Sequence, residues 1–395
     1  MAIFAKFQQI ATTLQLLSDC GVNPVNVVIE QILSASEGII NGRHMILAGT
    51  NNYLGITFEP ECIEAGCKAI REEGTGTTGS RMANGTYAGH IALENELIDF
   101  FNRKQAIVFS TGYTGILGIL ATLTGREDTI IADVDCHASI YDGCRLGKAK
   151  FMRFRHNDVD HLEWRLKQLK GQTENTLIVI EGIYSMLGDR AKLKEIVEIK
   201  NKYGAFLMID EAHSMGILGR QGRGLAEEAG VEDDVDFISG TFSKSLGTIG
   251  GYCVSNHPEL NLIRHASRPY IFTASSSPAI IASTRSALKI LRAHPELREK
   301  LWENATSLYR QLQNMGFILG PEPGPVISVH IETAEKALEL WRGILDRGVY
   351  VNMILPPATP GKNPLLRCSM SAAHTPKQVE HIVEAFASLR KTAGI

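Results

Sequence analysis

Short apolar runs alternate with amphipathic segments through the middle of the chain. The runs at 106–109, 129–133, 151–154, 176–180 and 206–209 are typical of strands buried on both faces. Between them, apolar residues recur every three or four positions, for example in 114–123 and 192–203, which predicts helices. Strands that alternate with helices over about 150 residues predict one mostly parallel sheet covered on both faces.

The two ends of the chain follow other patterns. Phe4, Phe7, Ile10, Leu14 and Leu17 have helical spacing, Val25 to Ile29 suggests a short extended piece, and Asn41-Gly42 suggests a hairpin turn. Residues 278–315 are almost wholly helical in pattern, and an α+β unit follows them. We therefore predict an N-terminal arm at 1–45, a large domain at 46–277 and a small C-terminal domain at 278–395.

The composition is that of a globular enzyme. Hydrophobic residues make up 44% of the 395 residues, charged residues 21%, and the net charge of −3 gives no basic field for nucleic acid. The seven cysteines form no CxxC pair, which favours a reducing compartment over disulfides or a zinc site. Without a signal peptide or an apolar stretch of membrane-spanning length, we expect a cytoplasmic protein with no transmembrane segment.

A lysine in unusual surroundings is the first candidate for chemistry. Lys244 stands at the centre of SGTFSKSLGTIGGY (239–252), among small and hydroxyl residues with little charge nearby. Little local bulk lets a cofactor approach closely, and a partly desolvated lysine can lose its proton and act as an amine nucleophile.

A second candidate lies 34 residues upstream. The apolar run in AFLMIDEAH (205–213) ends in Asp210, at the carboxyl end of a predicted strand, where open α/β sheets place their ligands. Together, Asp210 and Lys244 suggest pyridoxal 5′-phosphate (PLP), with Lys244 forming the Schiff base and Asp210 holding the pyridine nitrogen protonated. The alternative is a solvated turn after a core strand and a surface lysine.

Several motifs occur in a characteristic order. The chain resembles the PLP-dependent α-oxoamine synthases over essentially its whole length, on the motifs NYLG (52–55), GTGTTGSR (74–81), STGY (110–113), HASIYDG (137–143), EGIYSMLGD (181–189), DEAHSMG (210–216) and GTFSKSLG (240–247). The resemblance implies the aspartate-aminotransferase-like fold (PLP fold type I), an α/β large domain with a mostly parallel seven-stranded sheet and a smaller C-terminal α+β domain.

The resemblance also implies roles for individual residues. Lys244, His137 and Asp210 are the implied catalytic residues, with His137 stacked on the cofactor ring. The implied cofactor-binding residues are Gly112, Tyr113, His137, Ser185, Asp210, His213, Thr241, Ser243 and Lys244, with Thr273 and Ser275 contributed by a partner subunit. Asn52 and His137 would contact the amino acid, and Arg367 would clamp its carboxylate, a task suited to a guanidinium. The roles of Arg81 and Arg268 stay open, and no metal is implied.

The implied reaction is a decarboxylative Claisen condensation. RPYIFTAS (268–275), PPATP (356–360) and LLRCS (365–369) are most similar to the bacterial members that condense L-serine with palmitoyl-CoA to 3-oxosphinganine, CoA and CO2. An acyl chain that ends in a carboxylate would need a cationic partner, commonly an arginine in the N-terminal region. No arginine precedes Arg43 in this chain, so the sequence favours an uncharged acyl tail. The resemblance implies a homodimer with shared active sites, and the lipid product suggests possible peripheral contact with a membrane.

Three alternatives remain open. A sibling synthase would use glycine, alanine or a different acyl-CoA. A different PLP reaction, such as transamination, could run on the same fold, although the order of the motifs argues against it. A non-catalytic partner subunit is the third alternative, and the presence of Lys244 argues against it.

Overall fold

The computed structural model describes residues 2–19, 23–24, 26–356, 358–361 and 363–394. The chain forms two compact units, one of residues 51–302 and one that joins residues 1–50 to residues 303–395. Each unit is described by itself below. The predicted domain bounds at 45 and 277 remain a prediction.

The strands are β1 Gln31–Ile32, β2 Glu37–Ile40, β3 Arg43–Leu47, β4 Gln105–Phe109, β5 Thr129–Asp133, β6 Lys150–Phe154, β7 Thr176–Glu181, β8 Phe206–Asp210, β9 Phe237–Thr241, β10 Gly251–Ser255, β11 Val326–His330, β12 Val349–Tyr350, β13 Asn352–Ile354 and β14 Leu365–Ser369.

The helices are α1 Ala2–Ala5, α2 Gln8–Asp19, α3 Pro60–Glu73, α4 Ala88–Phe101, α5 Gly112–Leu123, α6 Ala138–Leu146, α7 Val159–Lys167, α8 Leu193–Tyr203, α9 Leu225–Ala229, α10 Leu260–Ile263, α11 Arg268–Ile271, α12 Pro278–Ala293, α13 Glu296–Asn314, α14 Ala334–Asp346, α15 Pro376–Ala387 and α16 Arg390–Ala393. Two 3₁₀ turns lie at Ile56–Phe58 and Glu232–Asp234.

A seven-stranded sheet in the order β4-β10-β9-β8-β7-β5-β6 is the centre of the 51–302 unit. β10 is antiparallel to both of its neighbours, and the remaining pairs are parallel. Every residue of β5, β7, β9 and β10 is buried, as the continuous apolar runs require for a sheet covered on both faces. The predicted α/β fold class is confirmed.

Local signals in the sequence explain where the helices begin and end. Pro60 occupies the first turn of α3, where its missing N–H costs nothing. Asn102 and Gly204 follow α4 and α8 in the left-handed conformation, which asparagine and glycine adopt most readily. α12 packs against α3 and α4, which places it in the 51–302 unit.

The other unit is an α+β structure. β2 and β3 form the predicted hairpin, whose turn residues Asn41 and Gly42 have φ values of 51° and 67°. The chain changes sheets at buried Val351, because β12 pairs with β3 whereas β13 pairs with β14. The predicted extended piece at 25–29 includes Val25, which lies outside the described residues, and the first strand begins at Gln31.

Within the described part of the chain, the helices are too short or too polar to cross a bilayer.

Candidate active site

A cavity of about 270 Å³ opens at the carboxyl ends of β7, β8 and β9. Parallel strands bring their carboxyl ends to one edge of the sheet, which is where this fold class binds ligands. Eight of the predicted residues line the cavity: Gly112, Tyr113, His137, Asp210, His213, Thr241, Ser243 and Lys244.

Lys244 lies in a tight loop between β9 and β10. The N–H of Phe242 donates to the carbonyl of Gly250 at 3.0 Å, and the N–H of Gly247 donates to the carbonyl of Lys244 at 2.9 Å. Gly247 has a φ of 60°, and a Cβ there would come within 2.7 Å of a Thr57 methyl carbon. The loop therefore fixes the backbone of Lys244 while its half-buried side chain reaches the cavity.

Asp210 is the last residue of β8 and is buried. Its Oδ1 accepts a hydrogen bond from the N–H of Ala212 at 3.0 Å, which orients the carboxylate. Burial raises the pKa of Asp210, whereas the charge of Lys244 opposes that rise. A cationic partner in the cavity would therefore favour the ionised carboxylate.

His213 and His137 are positioned by neighbouring polar groups. A 2.8 Å hydrogen bond joins His213 Nδ1 to the hydroxyl of Tyr53. His137 caps α6, where its Nδ1 accepts from the N–H of Ser139 at 3.2 Å, which leaves Nε2 to carry the proton of a neutral ring. Burial lowers the pKa of His137, and Lys244 lowers it further against the opposing effect of Asp210.

The start of α5 supplies backbone donors at one end of the cavity. Thr111 caps this twelve-residue helix by accepting a hydrogen bond from the N–H of Thr114. A Cβ at Gly112 would lie 2.9 Å from the Cβ of Thr241, so glycine is what allows the helix to approach β9. Thr241 Oγ1 is 2.9 Å from Ser243 Oγ. The N–H groups at the start of a helix and a hydroxyl such as that of Ser243 suit a phosphate group.

Other predicted residues lie elsewhere. Ser185 is in the loop after β7 and is not among the residues that line the cavity. Thr273 and Ser275 line a different, very small cavity together with Arg81. Asn52 donates to Thr57 Oγ1 at 2.8 Å, and Arg367 is a buried residue of β14 in the other unit. The roles predicted for all of these residues remain predictions.

The two arginines left open have identifiable contacts. Arg81 is buried, lies 3.1 Å from Glu94 and donates to the carbonyl of Val108 at 3.3 Å. Arg264 joins the same glutamate at 2.9 Å. Glu94 is thus shared by two guanidiniums, which ties the glycine-rich loop to the sheet. Arg268 lies over the ring of Phe272.

Sequence reasoning missed Glu181 and Ser139, which both line the cavity. Glu181 ends β7 directly opposite Asp210 in the register of the sheet, and its carboxylate accepts a hydrogen bond from the N–H of His137. Burial raises the pKa of Glu181, and the neighbouring Asp210 raises it further. The strand-end rule that identified Asp210 applies equally to Glu181 and would have found it.

A charged clamp supports the loops that carry His137 and Ser185. His156 Nδ1 lies 3.0 Å from Asp133 at the end of β5, and Nε2 lies 2.8 Å from Asp189 in the loop after β7. Asn157 also bonds Asp189, at 2.9 Å. Burial disfavours the charged ring, but the two carboxylates outweigh that effect and raise the pKa of His156 to about 10.

The donor set fits PLP. An amine is present for the aldehyde, a carboxylate for the pyridine nitrogen, and N–H and hydroxyl groups for the phosphate. The close approach of α5 to β9 at Gly112 narrows the end of the cavity that would hold the phosphate. A residue larger than glycine at position 112 would fill this space.

Comparisons with known proteins identify the family of this chain. The profile of the family described as aminotransferase class I and II matches residues 43–386. Serine palmitoyltransferase from Caulobacter vibrioides (strain NA1000 / CB15N) is 51% identical over 100% of this chain and 98% of its own. An 8-amino-7-oxononanoate synthase from Lysinibacillus sphaericus is 37% identical over 91% of this chain and 92% of its own.

A solved structure gives the same result. A serine palmitoyltransferase variant from S. paucimobilis with a bound PLP–myriocin aldimine superposes with a TM-score of 0.97, at 47% identity and over 99% of both chains. The chain therefore belongs to the class I and II aminotransferase family and, within it, to the PLP-dependent α-oxoamine synthases.

Proposed function

We propose that this protein is a PLP-dependent acyltransferase that condenses L-serine with palmitoyl-CoA. The products are 3-oxosphinganine, CoA and CO2, so the reaction is the first step in making a sphingoid base. The observation that carries the proposal is the cavity that joins Lys244 to Asp210, His137 and the start of α5. The 51% identity to a serine palmitoyltransferase over the full chain supports the choice of substrates.

The roles of the cavity residues follow from their chemistry. When bound, PLP withdraws electrons from the α-carbon of the amino acid. Lys244 holds the cofactor and then takes the α-proton on Nζ, a role open to an amine that the loop fixes in place. The Asp210 carboxylate would pair with the ring nitrogen and so preserve the positive charge there.

The remaining residues bind and orient. We propose that His137 lies on the ring face and that His213 and Ser185 bond the phenolic oxygen. Gly112, Tyr113, Thr241 and Ser243 would hold the phosphate. Asn52 and Arg367 would bind the amino acid, with the Arg367 guanidinium on its carboxylate. The α-carbon then attacks the thioester carbonyl, the C–S bond breaks to release CoA as its thiolate, and the serine carboxyl group leaves as CO2. Lys244 Nζ returns its proton to the electron pair that CO2 leaves on the α-carbon, which completes 3-oxosphinganine.

We further propose a cytoplasmic homodimer in which Thr273 and Ser275 complete the phosphate site of the partner subunit. Two observations support this arrangement. Both residues lie outside the Lys244 cavity of their own chain, and Ser275 Oγ is held 2.7 Å from Thr77 Oγ1 of the glycine-rich loop. The cysteines within the described residues are free thiols, as in a reducing compartment.

The products provide the test. Purified protein loaded with PLP is incubated with L-serine and palmitoyl-CoA, and the lipid fraction is analysed by mass spectrometry. We expect 3-oxosphinganine with L-serine and little product with glycine or L-alanine. Preferential use of glycine or L-alanine, or of a short acyl-CoA, would instead assign the chain to a sibling synthase.

A further inference from the structure

A second cavity shares a wall residue with the Lys244 cavity. Ile249 lines both the Lys244 cavity and a groove of about 360 Å³ on the same unit. The groove is formed by the 3₁₀ turn at 56–58, the start of α3, the loop after Lys244 and the first turns of α12. The two cavities therefore adjoin at Ile249.

The groove has an apolar, uncharged lining. Its walls are Ile56, Thr57, Cys62, Ile63, Leu246, Gly247, Thr248, Ile249, Ala279, Ile280 and Ser283. The one titratable side chain among them is the thiol of Cys62, and burial raises its pKa, which keeps it neutral. By contrast, Asp128, Glu174 and Glu259 line the cavity at the other end of the sheet.

The hydroxyl groups of the lining are already engaged. Thr57 Oγ1 accepts from Asn52 at 2.8 Å, Ser283 Oγ donates to the carbonyl of Cys62 at 2.8 Å, and Thr248 Oγ1 is 2.8 Å from Thr284 Oγ1. Because their polar atoms are paired within the protein, these residues offer mainly methyl and methylene groups to a ligand. A hydrocarbon chain could enter without leaving a buried polar group unsatisfied.

Two of the lining side chains expose apolar surface to solvent. Ile63 is 44% exposed and Ile249 is 45% exposed. Covering such surface with a ligand stabilises the complex in proportion to the apolar area removed from water. The gain per methylene group makes the groove sensitive to the length of the chain that fills it.

We propose that this groove binds the acyl chain of the acyl-CoA substrate, with Ile249 at the junction between the reacting thioester and the tail. The proposal rests on the proposed function, since it assigns the tail of that substrate to a place in the fold. Ile63 and Ala279 then act as specificity-determining residues for chain length. Neither residue contacts the reacting atoms, so their effect appears in the preference between chains.

Two isoleucines on α3 give a matched test. Ile63 lines the groove, whereas Ile70 lies two turns further along the same helix with 45% exposure and outside the lining. Ile63→Glu and Ile70→Glu are compared as PLP-loaded enzymes with octanoyl-CoA and palmitoyl-CoA. We expect Ile63→Glu to lower the ratio of kcat/KM for palmitoyl-CoA over octanoyl-CoA by about tenfold or more, and Ile70→Glu to leave that ratio unchanged.

A binding measurement and a second variant complete the experiment. A thioether analogue of palmitoyl-CoA cannot react, so isothermal titration with it measures binding alone. We expect Ile63→Glu to bind this analogue more weakly than wild type does. Ala279→Phe, which fills the groove without adding charge, should also lower the ratio. Equal chain preference in Ile63→Glu and wild type would overturn the proposal. So would a halved mass of Ile63→Glu in sedimentation, because the groove would then be a contact with a second copy.

The outcome separates this inference from the proposed function. If wild type releases no CoA with either acyl-CoA in the presence of L-serine, the proposed function fails. If wild type uses palmitoyl-CoA and both glutamate variants keep its chain preference, the proposed function stands and the groove assignment fails.

Discussion

At the scale of single residues, the site depends on one amine in a pocket with few competing charges. Lys244 faces Asp210 and the neutral His137, and the carboxyl group of Glu181 lies beyond them. Burial disfavours the charged forms of Asp210, His137 and Glu181. The amine is therefore the group best able to bond covalently to the cofactor and to move a proton.

Replacing that amine should separate cofactor binding from chemistry. Lys244→Ala is expected to bind PLP through Asp210 and the start of α5 but to lack the visible absorption band of the lysine-bound cofactor. Turnover should fall by about 10²–10⁴-fold or more, because the group that takes the α-proton is gone. Absorption spectra and CoA release measure the two effects, and turnover near the wild-type rate would contradict the role given to Lys244.

At the scale of secondary-structure elements, the ends of parallel strands and the starts of helices build the site. β8 and β9 deliver Asp210 and the Lys244 loop, and α5 and α6 begin at the cavity. The contacts between these elements are close, so small changes in side-chain volume should affect the cofactor.

Gly112 gives a direct test of that closeness. Gly112→Ala adds a Cβ that would lie 2.9 Å from the Cβ of Thr241, whereas a Cβ at Gly76 would meet no atom within 4 Å. We expect Gly112→Ala to push α5 away from β9, to destabilise the protein by about 1–3 kcal/mol and to weaken PLP binding. Gly76→Ala should change neither quantity, as measured by urea unfolding and equilibrium dialysis. Unchanged PLP affinity in Gly112→Ala would remove α5 from the phosphate site.

The His156 clamp predicts a pH dependence of stability. The pKa of His156 is raised to about 10, so its charged form stabilises the fold. This contribution is fully present below the ordinary histidine pKa of about 6.5 and is lost as pH rises through about 10. The difference in unfolding free energy between wild type and His156→Leu should be about 3–5 kcal/mol at pH 6 and should shrink towards pH 10.

His257 is the matched control for this prediction. It pairs with Asp236 at 2.9 Å and stacks on Phe237, but at the amino ends of the strands and with a 38% exposed side chain. His257→Leu should cost less stability and leave the spectrum of bound PLP unaltered. His156→Leu should weaken PLP binding, because the loops of His137 and Ser185 lose their common support. If both substitutions weaken PLP binding equally, the proposed role of the His156 clamp is contradicted.

The sequence predicted the elements better than their contacts. The positions of α5 and α8 and the strand-end position of Asp210 follow from periodicity and apolar runs, which are local signals. Glu181 ends its strand as Asp210 does, so the strand-end rule applies to it as well, but only the register of the sheet shows that it lies beside Asp210. Likewise, Tyr53 reaches His213 across 160 residues of chain, a contact that no spacing rule reveals.

At the scale of the whole molecule, the proposed homodimer makes each active site depend on two chains. A chain with Lys244→Ala is mixed, after reversible unfolding, with a chain carrying Thr273→Ala and Ser275→Ala. If Thr273 and Ser275 serve the partner's site, one site of the mixed dimer contains only wild-type residues and activity returns. If they serve their own chain, both sites remain defective and the mixture stays inactive.

The central claim is that this protein catalyses a decarboxylative condensation of L-serine with palmitoyl-CoA. The ratio of CO2 to CoA released in the reaction tests it most directly. The PLP-loaded protein is given palmitoyl-CoA and L-serine labelled with ¹³C in its carboxyl group, and labelled CO2 and free CoA are measured together. The account predicts equal amounts of both, with neither formed when L-serine or palmitoyl-CoA is omitted. CoA release without labelled CO2 would show thioester hydrolysis or simple acyl transfer, and would contradict a decarboxylative condensation.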